Sequence, residues 1–412
     1  MTSTLPDAAA PWRIAMLDPA DFTPAYDQAL ADALRADGQD VVLIGSFGGG
    51  ETNRPAYRRD HFYRGLMHPL ARAMPRRLRR PLKGLHHALD LAHLVPRVIR
   101  DFEPSVIHVQ WLPLPLADRL VVPGLRRHAP LVITLHDSNP YNGAASALMR
   151  WGYLAVLASA DAVIVHTAQA RERLAAAGIP TQRLHCIAHG LLHPPGHTGQ
   201  HRHVGGRLQL LLFGKIQAYK GVEVILQALA LLSPAERDLV RLRVVGRPYM
   251  DVAPFVAFVR DHGLGDVVQF RFEFVPETEI GRLFQDADAA CFPYHGIDAS
   301  GAAMTAIAHG VPVLASDVGG FGELLRDGRE ARLVPAGDAP ALAAVIREWV
   351  RAPHSLVALA TGMRVRRAAV PSWRSIAMRT KQAYALARER WLSERARSRT
   401  GPLAAIRWER PS

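Results

Sequence analysis

The segment from Cys291 to Glu323 contains two short apolar strands with a helix of small residues between them. The first strand (AACFPY) leads into a loop ending at Ser300 and Gly301, and the second (VPVLASD) ends in a Val-Gly-Gly turn. This order predicts a parallel sheet whose helix starts just past the carboxyl end of a strand, where open α/β sheets bind ligands. The unpaired N–H groups and positive dipole end of a helix start suit a phosphate. The segment therefore predicts binding of a phosphorylated or nucleotide-linked small molecule.

The same alternation of strands and helices runs along most of the chain and predicts an α/β fold. Apolar strands such as WRIAML, SVIHVQW and PLVITLH fill the first half, and RLQLLLFG and VRLRVVG begin the second. A Pro/Gly-rich linker at 194–200 separates the halves. We predict one domain over 1–195, another over 203–370, and an amphipathic helix over 371–392. Two domains joined by one linker enclose a cleft, where small-ligand sites concentrate.

The composition is that of a basic globular protein. Of 412 residues, 49% are hydrophobic and 21% charged, which excludes a chain disordered throughout. The formal net charge of +13 favours anionic partners, such as nucleic acid, anionic lipids or phosphorylated substrates. Cys186 and Cys291 lie in separate apolar runs, so we expect buried free thiols in a reducing compartment. We see no signal-peptide pattern and no apolar run long enough to span a bilayer, and expect a cytoplasmic protein.

Several motifs, in order, resemble those of the family 4 glycosyltransferases, which are retaining enzymes that use sugar nucleotides. In the first half these are VIHVQW, TLHDSNP, ADAVIVHTAQARERL and IAHG. In the second they are FGKIQAYKGVEVILQAL, VVGRP, FVPETEI, DADAACFPY and HGVPVLASDVGGFGELLRDGREARLVPAGD. The resemblance covers nearly the whole chain. It implies the GT-B fold, in which two Rossmann-like domains face each other across a cleft and a C-terminal helix (here from SWRSIAMRT) crosses back to the N-domain.

Two lysines, Lys215 and Lys220, flank a turn between a strand and a helix in FGKIQAYKG. Cations there stabilise a diphosphate leaving group more in the transition state than in the ground state, as catalysis requires. The family usually has Arg at the first position, so a bidentate clamp is replaced by a point charge. The resemblance also places His136, at the end of strand PLVITLH, near the donor sugar. We therefore predict His136, Lys215 and Lys220 as catalytic, and expect no metal and no cofactor.

The resemblance is weakest where most relatives carry two glutamates, because this chain has Ile297 and Thr305 there. Asp298 stands in for the first glutamate after a slip of one residue, and Thr305 offers a hydroxyl in place of the second. We expect backbone N–H groups of the helix start to bind the donor phosphates or sugar, although Ser300 also suits a plain N-cap. The predicted donor-binding residues are Arg247, Val275, Asp298, Ser300, Gly301, Ala302, Thr305 and Glu323.

The first loop also departs from the family, since many relatives have a Gly-Gly turn where this chain has DPADFTPAY. Close backbone approach by glycine is lost there. We predict that Asp21 or Tyr26 contacts the acceptor instead. A further pair, Asp286 and Asp288, matches the DxD pattern that binds metal in another transferase fold. Here it joins a helix to a strand, and we interpret it as structural.

The stretch 57–100 is crowded with Arg, His and bulky apolar residues, including Arg76, Arg77, Arg79 and Arg80. Such a stretch suits an anionic bilayer, with apolar side chains inserted and arginines at the phosphates. One hypothesis is therefore an enzyme peripheral to the inner face of the cytoplasmic membrane that extends a lipid-linked saccharide. The alternative is an ordinary pair of solvated basic helices. Nucleic-acid binding is not expected, because no aromatic platform in a basic groove is visible.

These observations favour a retaining glycosyltransferase that moves a sugar from a nucleotide-sugar donor to a saccharide or lipid-linked acceptor, as in exopolysaccharide or cell-surface glycan synthesis. Two alternatives stay open. A sugar-nucleotide epimerase shares the fold but needs acid/base groups in the cleft. A non-catalytic relative would have kept nucleotide-sugar binding after losing the glutamates.

Overall fold

A computed structural model of the chain describes residues 11–46, 57–63, 76–137, 146–192 and 206–400. Within these ranges, each half of the chain forms one parallel sheet, as the sequence predicts. The predicted linker at 194–200 and the middle of the basic stretch, 64–75, lie outside the described residues.

The N-terminal sheet has the strand order β3-β2-β1-β4-β5-β6-β7. Its inner strands are nearly continuous apolar runs because helices cover both faces of a parallel sheet, whereas the edge strands β3 (RRD) and β7 (LHC) are more polar. The order reverses between β1 and β4, where Ile14 pairs with both Val41 and Val106. The strands are β1 (Arg13–Asp18), β2 (Asp40–Gly45), β3 (Arg58–Asp60), β4 (Val106–Val109), β5 (Leu131–Leu135), β6 (Ala162–Val165) and β7 (Leu184–Cys186).

The C-terminal sheet repeats this arrangement with the order β10-β9-β8-β11-β12-β13. Its order reverses between β8 and β11, and ligands bind outside the strand ends at such a switch point. Lys215 follows β8, and the loop leading to Ser300 follows β11. The strands are β8 (Leu208–Phe213), β9 (Val240–Val245), β10 (Val268–Arg271), β11 (Ala289–Phe292), β12 (Val313–Ser316) and β13 (Ala331–Val334).

Helices cover both sheets. In the N-terminal half they are α1 (Pro24–Ala36), α2 (Arg76–Leu94), α3 (Arg100–Phe102), α4 (Pro115–Leu125), α5 (Ala147–Ser159) and α6 (Ala168–Ala176). The C-terminal half contains α7 (Val222–Ala230), α8 (Pro234–Arg237), α9 (Ala253–Asp261), α10 (Glu277–Gln285), α11 (Gly301–His309), α12 (Phe321–Leu324), α13 (Ala339–Arg351) and α14 (His354–Ala369). A last helix, α15 (Trp373–Thr400), follows. In the described residues, none of these helices combines the length and apolar character needed to cross a membrane.

The prediction that both cysteines are buried is half wrong. Cys291 lies inside the C-terminal sheet and is buried, whereas Cys186 is exposed. The reason is that β7 forms the edge of the N-terminal sheet, so part of this apolar-looking strand faces solvent. Both thiols are free.

Helix α15 returns to the N-terminal sheet, where Ile376, Ala377, Tyr384 and neighbouring residues join the core formed by β1, β2 and α1. The Tyr384 hydroxyl lies 2.8 Å from His108 Nδ1, and His108 Nε2 lies 2.7 Å from the Thr134 hydroxyl. His108 is fully buried, and burial lowers its pKa to about 3. This neutral imidazole therefore links the centre of the sheet to the returning helix.

We expect the stability of the protein to report the burial of His108. A histidine whose folded-state pKa lies below 6.5 takes up protons on unfolding, so its stability contribution is complete above pH 6.5 and declines as the pH falls. Between pH 7.5 and pH 5, the free energy of unfolding should fall by about 2 kcal/mol more in the wild type than in His108→Gln. Urea denaturation at the two pH values measures this difference.

Comparison with the variant is needed because other buried groups titrate in the same range. Burial and the neighbouring Asp18 raise the pKa of Asp27, which gives the opposite slope in stability. That contribution is common to both proteins and cancels. Equal pH dependence in the wild type and His108→Gln would contradict a neutral, buried His108.

Candidate active site in the interdomain cleft

The carboxyl ends of both sheets meet at a cavity of about 490 Å³ between the two domains. The first loop and the ends of β4 and β5 line it from the N-terminal side. The turn after β8 and the start of α11 line it from the C-terminal side. Its polar and aromatic lining residues include Thr23, Tyr26, Gln110, Trp111, Thr134, His136, Asp137, Tyr153, His189, Lys215, Gln217, Tyr219 and Lys220.

Lys220 is buried beside the loop that follows β11. Its Nζ donates a hydrogen bond to the Tyr294 hydroxyl and lies 4.2 Å from the centre of the Tyr294 ring. The approach depends on Gly221, which has φ +63°, because a Cβ there would lie 1.8 Å from the Pro293 carbonyl oxygen. Lys215 reaches across the cleft, with Nζ 5.3 Å from the centre of the Phe22 ring.

Burial shifts both lysines towards the neutral form. Desolvation, and then repulsion from Lys215, lower the pKa of Lys220 to about 7. Lys215 is more exposed, and desolvation lowers its pKa while Asp18 and Asp21 act in the opposite direction. An anion in the cavity would reduce this penalty by pairing with both ammonium groups, so the two lysines are suited to hold an anion.

Helix α11 begins at this cavity. The Ser300 side chain accepts a hydrogen bond from the N–H of Ala303 (3.2 Å), as an N-cap does. Gly301 and Ala302, the next two residues, line the cavity. The Thr305 hydroxyl is buried and donates to the carbonyl of Gly301 (2.9 Å), so it faces its own helix.

The Val-Gly-Gly turn supports the loop before α11. Gly319 has φ +55°, and a Cβ there would lie 1.4 Å from the carbonyl oxygen of Ile297. At Gly320 a Cβ would lie 2.0 Å from the carbonyl oxygen of Asp298. The two glycines therefore let the turn after β12 pack directly against the loop after β11, which explains why the two motifs occur together.

We predict that Gly319→Ala destabilises the protein well beyond the cost of the backbone conformation. Gly328 is a matched control, since it has φ +70° and nothing within 4 Å of an added Cβ. Gly328→Ala should cost about 1 kcal/mol in free energy of unfolding, because alanine tolerates positive φ poorly. Gly319→Ala should cost several kcal/mol, about 3 or more, because the backbone has to move as well. Equal urea midpoints for the two variants would contradict this packing.

Asp298 and Glu323, both predicted to bind the donor, contact the N-terminal domain in this structure. Asp298 Oδ1 lies 2.5 Å from Arg173 Nη1 on α6. The Glu323 carboxylate accepts from the backbone N–H groups of Ala168 (2.7 Å) and Gln169 (2.8 Å), at the start of the same helix. Both acidic residues line an adjoining cavity of about 230 Å³. We call these contacts the α6 clasp.

Other predicted residues divide between the cleft and its surroundings. Tyr26 lines the cavity, whereas Arg247 is exposed and its guanidinium carbon lies 5.8 Å from the Tyr249 ring centre. Val275 is buried in the core of the C-terminal domain. Asp21 (φ +51°) lies in the first loop beside the cleft but not among the residues that line its cavity.

The carboxylate of Asp18 holds the first loop in place by accepting from the N–H groups of Phe22 (2.6 Å) and Thr23 (3.1 Å).

In the C-terminal domain, Asp288 accepts from the N–H of Gln209 (2.8 Å), and Asp286 lies 3.9 Å from Arg243. These contacts agree with a structural role for the DxD pair. The described residues contain no group of three or more His, Cys, Asp or Glu side chains suited to hold a metal.

His136 lies at the N-terminal wall of the cavity in a cluster of aromatic rings. Trp111 stacks on it, with ring centres 5.6 Å apart, and the edge of Tyr26 approaches it at 4.6 Å. Its Nδ1 lies 3.2 Å from His166 Nε2, and its Nε2 lies 3.4 Å from the Gln110 amide. Burial, and then the nearby histidines His166, His189 and His108, lower the pKa of His136 well below its usual value.

Two family models match the chain, one in each domain. The model described as Glycosyltransferase Family 4 matches residues 28–191, and the model described as Glycosyl transferases group 1 matches residues 207–352. Together they cover both sheets except β1, and most of the cleft except the first loop. The chain belongs to the family 4, or group 1, glycosyltransferases.

Curated relatives and solved structures agree with this family. D-inositol 3-phosphate glycosyltransferase 1 of Catenulispora acidiphila is 29% identical over 259 residues, which are 57% of this chain and 62% of that protein. The match to MMP alpha-(1->4)-mannosyltransferase of Mycolicibacterium hassiacum is 33% identical and covers 40% of this chain and 39% of that one. The chain therefore matches under two thirds of either relative's length.

Solved structures match over nearly the full length and show the fold. Sucrose-phosphate synthase from Thermosynechococcus elongatus superposes with a TM-score of 0.73 at 20% identity, covering 90% of this chain and 98% of that one. HepE of Anabaena in complex with UDP-glucose gives a TM-score of 0.66 at 16% identity, covering 90% and 97%. The predicted GT-B architecture is confirmed.

Several cleft residues of this family 4 glycosyltransferase were missed by sequence reasoning. Tyr294, Gln110, Trp111, His166 and Tyr219 line the cavity or directly hold residues that do. Gln110 and Trp111 directly follow a strand, like His136, and that position was the available signal. Tyr294 carried no such signal, because an aromatic residue at the end of a strand is usually part of the core.

Proposed function

We propose that the chain is a retaining glycosyltransferase that moves a sugar from a nucleotide-sugar donor to an acceptor in the interdomain cleft. The observation that carries this proposal is the pair of lysines, Lys215 and Lys220, beside the start of α11, with His136 lining the same cavity. A diphosphate between the lysines would leave its attached sugar in the cavity between Gly301 and His136.

The lysines would act on the leaving group. As the bond from the sugar anomeric carbon to the phosphate oxygen breaks, negative charge grows on the diphosphate. Lys215 and Lys220 would stabilise that charge, and the buried position of Lys220 would strengthen its part of the interaction. Tyr294 keeps the Lys220 ammonium directed at the same place in the absence of ligand, so little reorganisation is needed.

Retention of configuration requires the acceptor hydroxyl to attack from the face that the phosphate leaves. The acceptor oxygen forms the new bond to the anomeric carbon, and its proton passes to an oxygen of the departing phosphate. This step needs no nucleophile or general base from the protein. It does not draw on Asp137 or on the histidines that line the cavity.

A uridine diphosphate sugar is the first donor to test, since the similar fold of Anabaena HepE was solved with UDP-glucose. Thermal-shift measurements with a panel of nucleotide sugars, then product analysis by mass spectrometry, would identify the donor. A product that is an epimer of the donor would favour an epimerase. Binding without turnover of any donor, by transfer or hydrolysis, would favour a non-catalytic binding protein.

We expect Lys220→Ala to lower kcat/KM for transfer or donor hydrolysis by about 100- to 1,000-fold, because one preorganised charge on the leaving group is lost. Lys381→Ala is the matched control. Its ammonium pairs with Asp37 on the surface of the N-terminal domain, so its loss should cost less than about 1 kcal/mol of stability and leave turnover unchanged. Full activity in Lys220→Ala would contradict the proposed role.

A lipid-linked saccharide is the acceptor that we propose, because exposed apolar side chains lie on three adjacent helices of the N-terminal domain. The surface lies on three helices, of which α2 packs against α4 and α4 packs against α5. We call it the α2–α4–α5 face. Its exposed apolar residues are Leu85, Leu89, Leu116, Leu120, Leu148 and Trp151.

Cationic residues accompany these apolar side chains. The Arg119 guanidinium carbon lies 3.8 Å from the centre of the Trp151 ring, and Lys83 and Arg150 are exposed nearby on α2 and α5. The first two turns of α2 carry Arg76, Arg77, Arg79 and Arg80. Apolar groups that insert, with cations at the level of the lipid phosphates, match an anionic bilayer. We propose that this face docks the enzyme on such a membrane.

Vesicle flotation tests the docking proposal. Leu120→Glu/Trp151→Glu should abolish binding to vesicles that contain phosphatidylglycerol, and the wild type should bind those vesicles more strongly than pure phosphatidylcholine. Val357→Glu/Val365→Glu is the control, since both valines, like Leu120 and Trp151, are exposed on a helix, but on α14 of the other domain. Binding that is unchanged in Leu120→Glu/Trp151→Glu, or equal for both lipids, would contradict the proposal.

A further inference from the structure

We propose that His166 fixes the tautomer of His136, so that His136 carries its proton on Nδ1 and presents a bare Nε2 at the cleft. In this state His136 accepts a hydrogen bond from a hydroxyl of the bound sugar and cannot donate one to the phosphate. The inference rests on the proposed function for the identity of the ligand, but not for the tautomer itself.

The carbonyl of Ile187 determines which nitrogen of His166 carries the proton. His166 Nδ1 lies 2.9 Å from this oxygen, in a buried environment. A backbone carbonyl can only accept, so the proton of this hydrogen bond belongs to His166 Nδ1. A lone pair on Nδ1 would instead place two acceptors against each other away from water, which is costly.

A neutral His166 in turn determines which nitrogen of His136 carries the proton. With one proton on Nδ1, a neutral imidazole has a lone pair on Nε2. That atom lies 3.2 Å from His136 Nδ1, so His136 must supply the proton between them. A neutral His136 with its proton on Nδ1 has none on Nε2. Independently, burial lowers the pKa of His166 to about 4, which supports the neutral form.

The side-chain amide of Gln110 contacts the other nitrogen of His136, with Oε1 placed 3.4 Å from Nε2. The oxygen and nitrogen of a side-chain amide are assigned from their partners. With Nε2 unprotonated, the amide must be turned so that its NH₂ group donates to His136. The turn brings Oε1 to the side of His108, where the amide nitrogen is placed 3.3 Å from His108 Nδ1. His136 Nε2 then has one donor in the ligand-free protein and can exchange it for a sugar hydroxyl without losing a hydrogen bond.

His166 is thus a positioning residue, which acts on the substrate through His136. Glutamine and asparagine separate its two contacts. Glutamine places its amide near the position of Nε2 and can accept from His136. Asparagine places its amide near the position of Nδ1, where it keeps the contact with Ile187 but removes the acceptor for His136. His166→Gln should therefore preserve what His166→Asn loses.

The direct test is the protonation of His136 in the ligand-free protein, measured by long-range ¹H–¹⁵N correlation on ¹⁵N-histidine-labelled protein, with His136→Gln to assign the signal. We expect Nδ1 to be protonated in the wild type and in His166→Gln, and the Nε2-protonated form to appear in His166→Asn. A wild-type His136 protonated on Nε2, or on both nitrogens, at neutral pH would overturn the inference.

Transfer kinetics with the donor found by the screen provide the second test. His166→Asn should lower kcat/KM by about tenfold, the worth of one hydrogen bond, and His166→Gln should restore most of it. Equal losses in both variants would indicate a purely structural role and overturn the inference. The tautomer is measured without donor. Its result therefore stands even if the proposed transferase function fails.

Discussion

The candidate site depends on a cation held in a place that disfavours charge. Lys220 is buried between a 3₁₀ turn and the loop after β11, and its proximity to Lys215 adds repulsion to desolvation. Folding tolerates this cost because Tyr294 accepts a hydrogen bond from the ammonium group and offers its ring face beside it. The same arrangement would make the diphosphate of the proposed donor a strong partner. Glycines at 221, 319 and 320, each in close contact with a neighbouring carbonyl oxygen, allow the loops to come close enough to form it.

Much of the fold was predictable because parallel strands buried on both faces leave continuous apolar runs in the sequence. The same runs predicted Lys215, Lys220 and Ser300, which directly follow strands or start helices. Sequence reasoning did less well with contacts between elements far apart in the chain. The Arg173–Asp298 ion pair and the Glu323 contacts with α6 join residues more than a hundred positions apart, and no local pattern marks them. Cys186 was misjudged because a single strand does not show whether it lies at the edge of its sheet.

In the α6 clasp, Asp298 and Glu323, which the sequence predicted to bind the donor, contact the N-terminal domain. Asp298 lies in the loop after β11 and Glu323 in the short helix α12, and both contact one short helix of the opposite domain. A ligand that bound either carboxylate would replace the contact of that carboxylate with α6. Closure of the cleft and occupation of the donor site would then compete for the same groups, and the balance between them is an equilibrium between conformations. The donor assignment of these two residues remains a prediction.

The pKa of about 7 at Lys220 has a consequence beyond transition-state stabilisation. Burial shifts the protonation equilibrium of Lys220 towards the uncharged amine near neutral pH. In the proposed function a bound diphosphate would favour the ammonium form, so nucleotide binding would draw a proton from solution and nucleotide release would return it. Linkage makes the effect reciprocal, and the affinity of the product nucleotide falls as the pH rises through neutrality. A buried lysine thereby couples the emptying of the donor site to the proton activity of its surroundings.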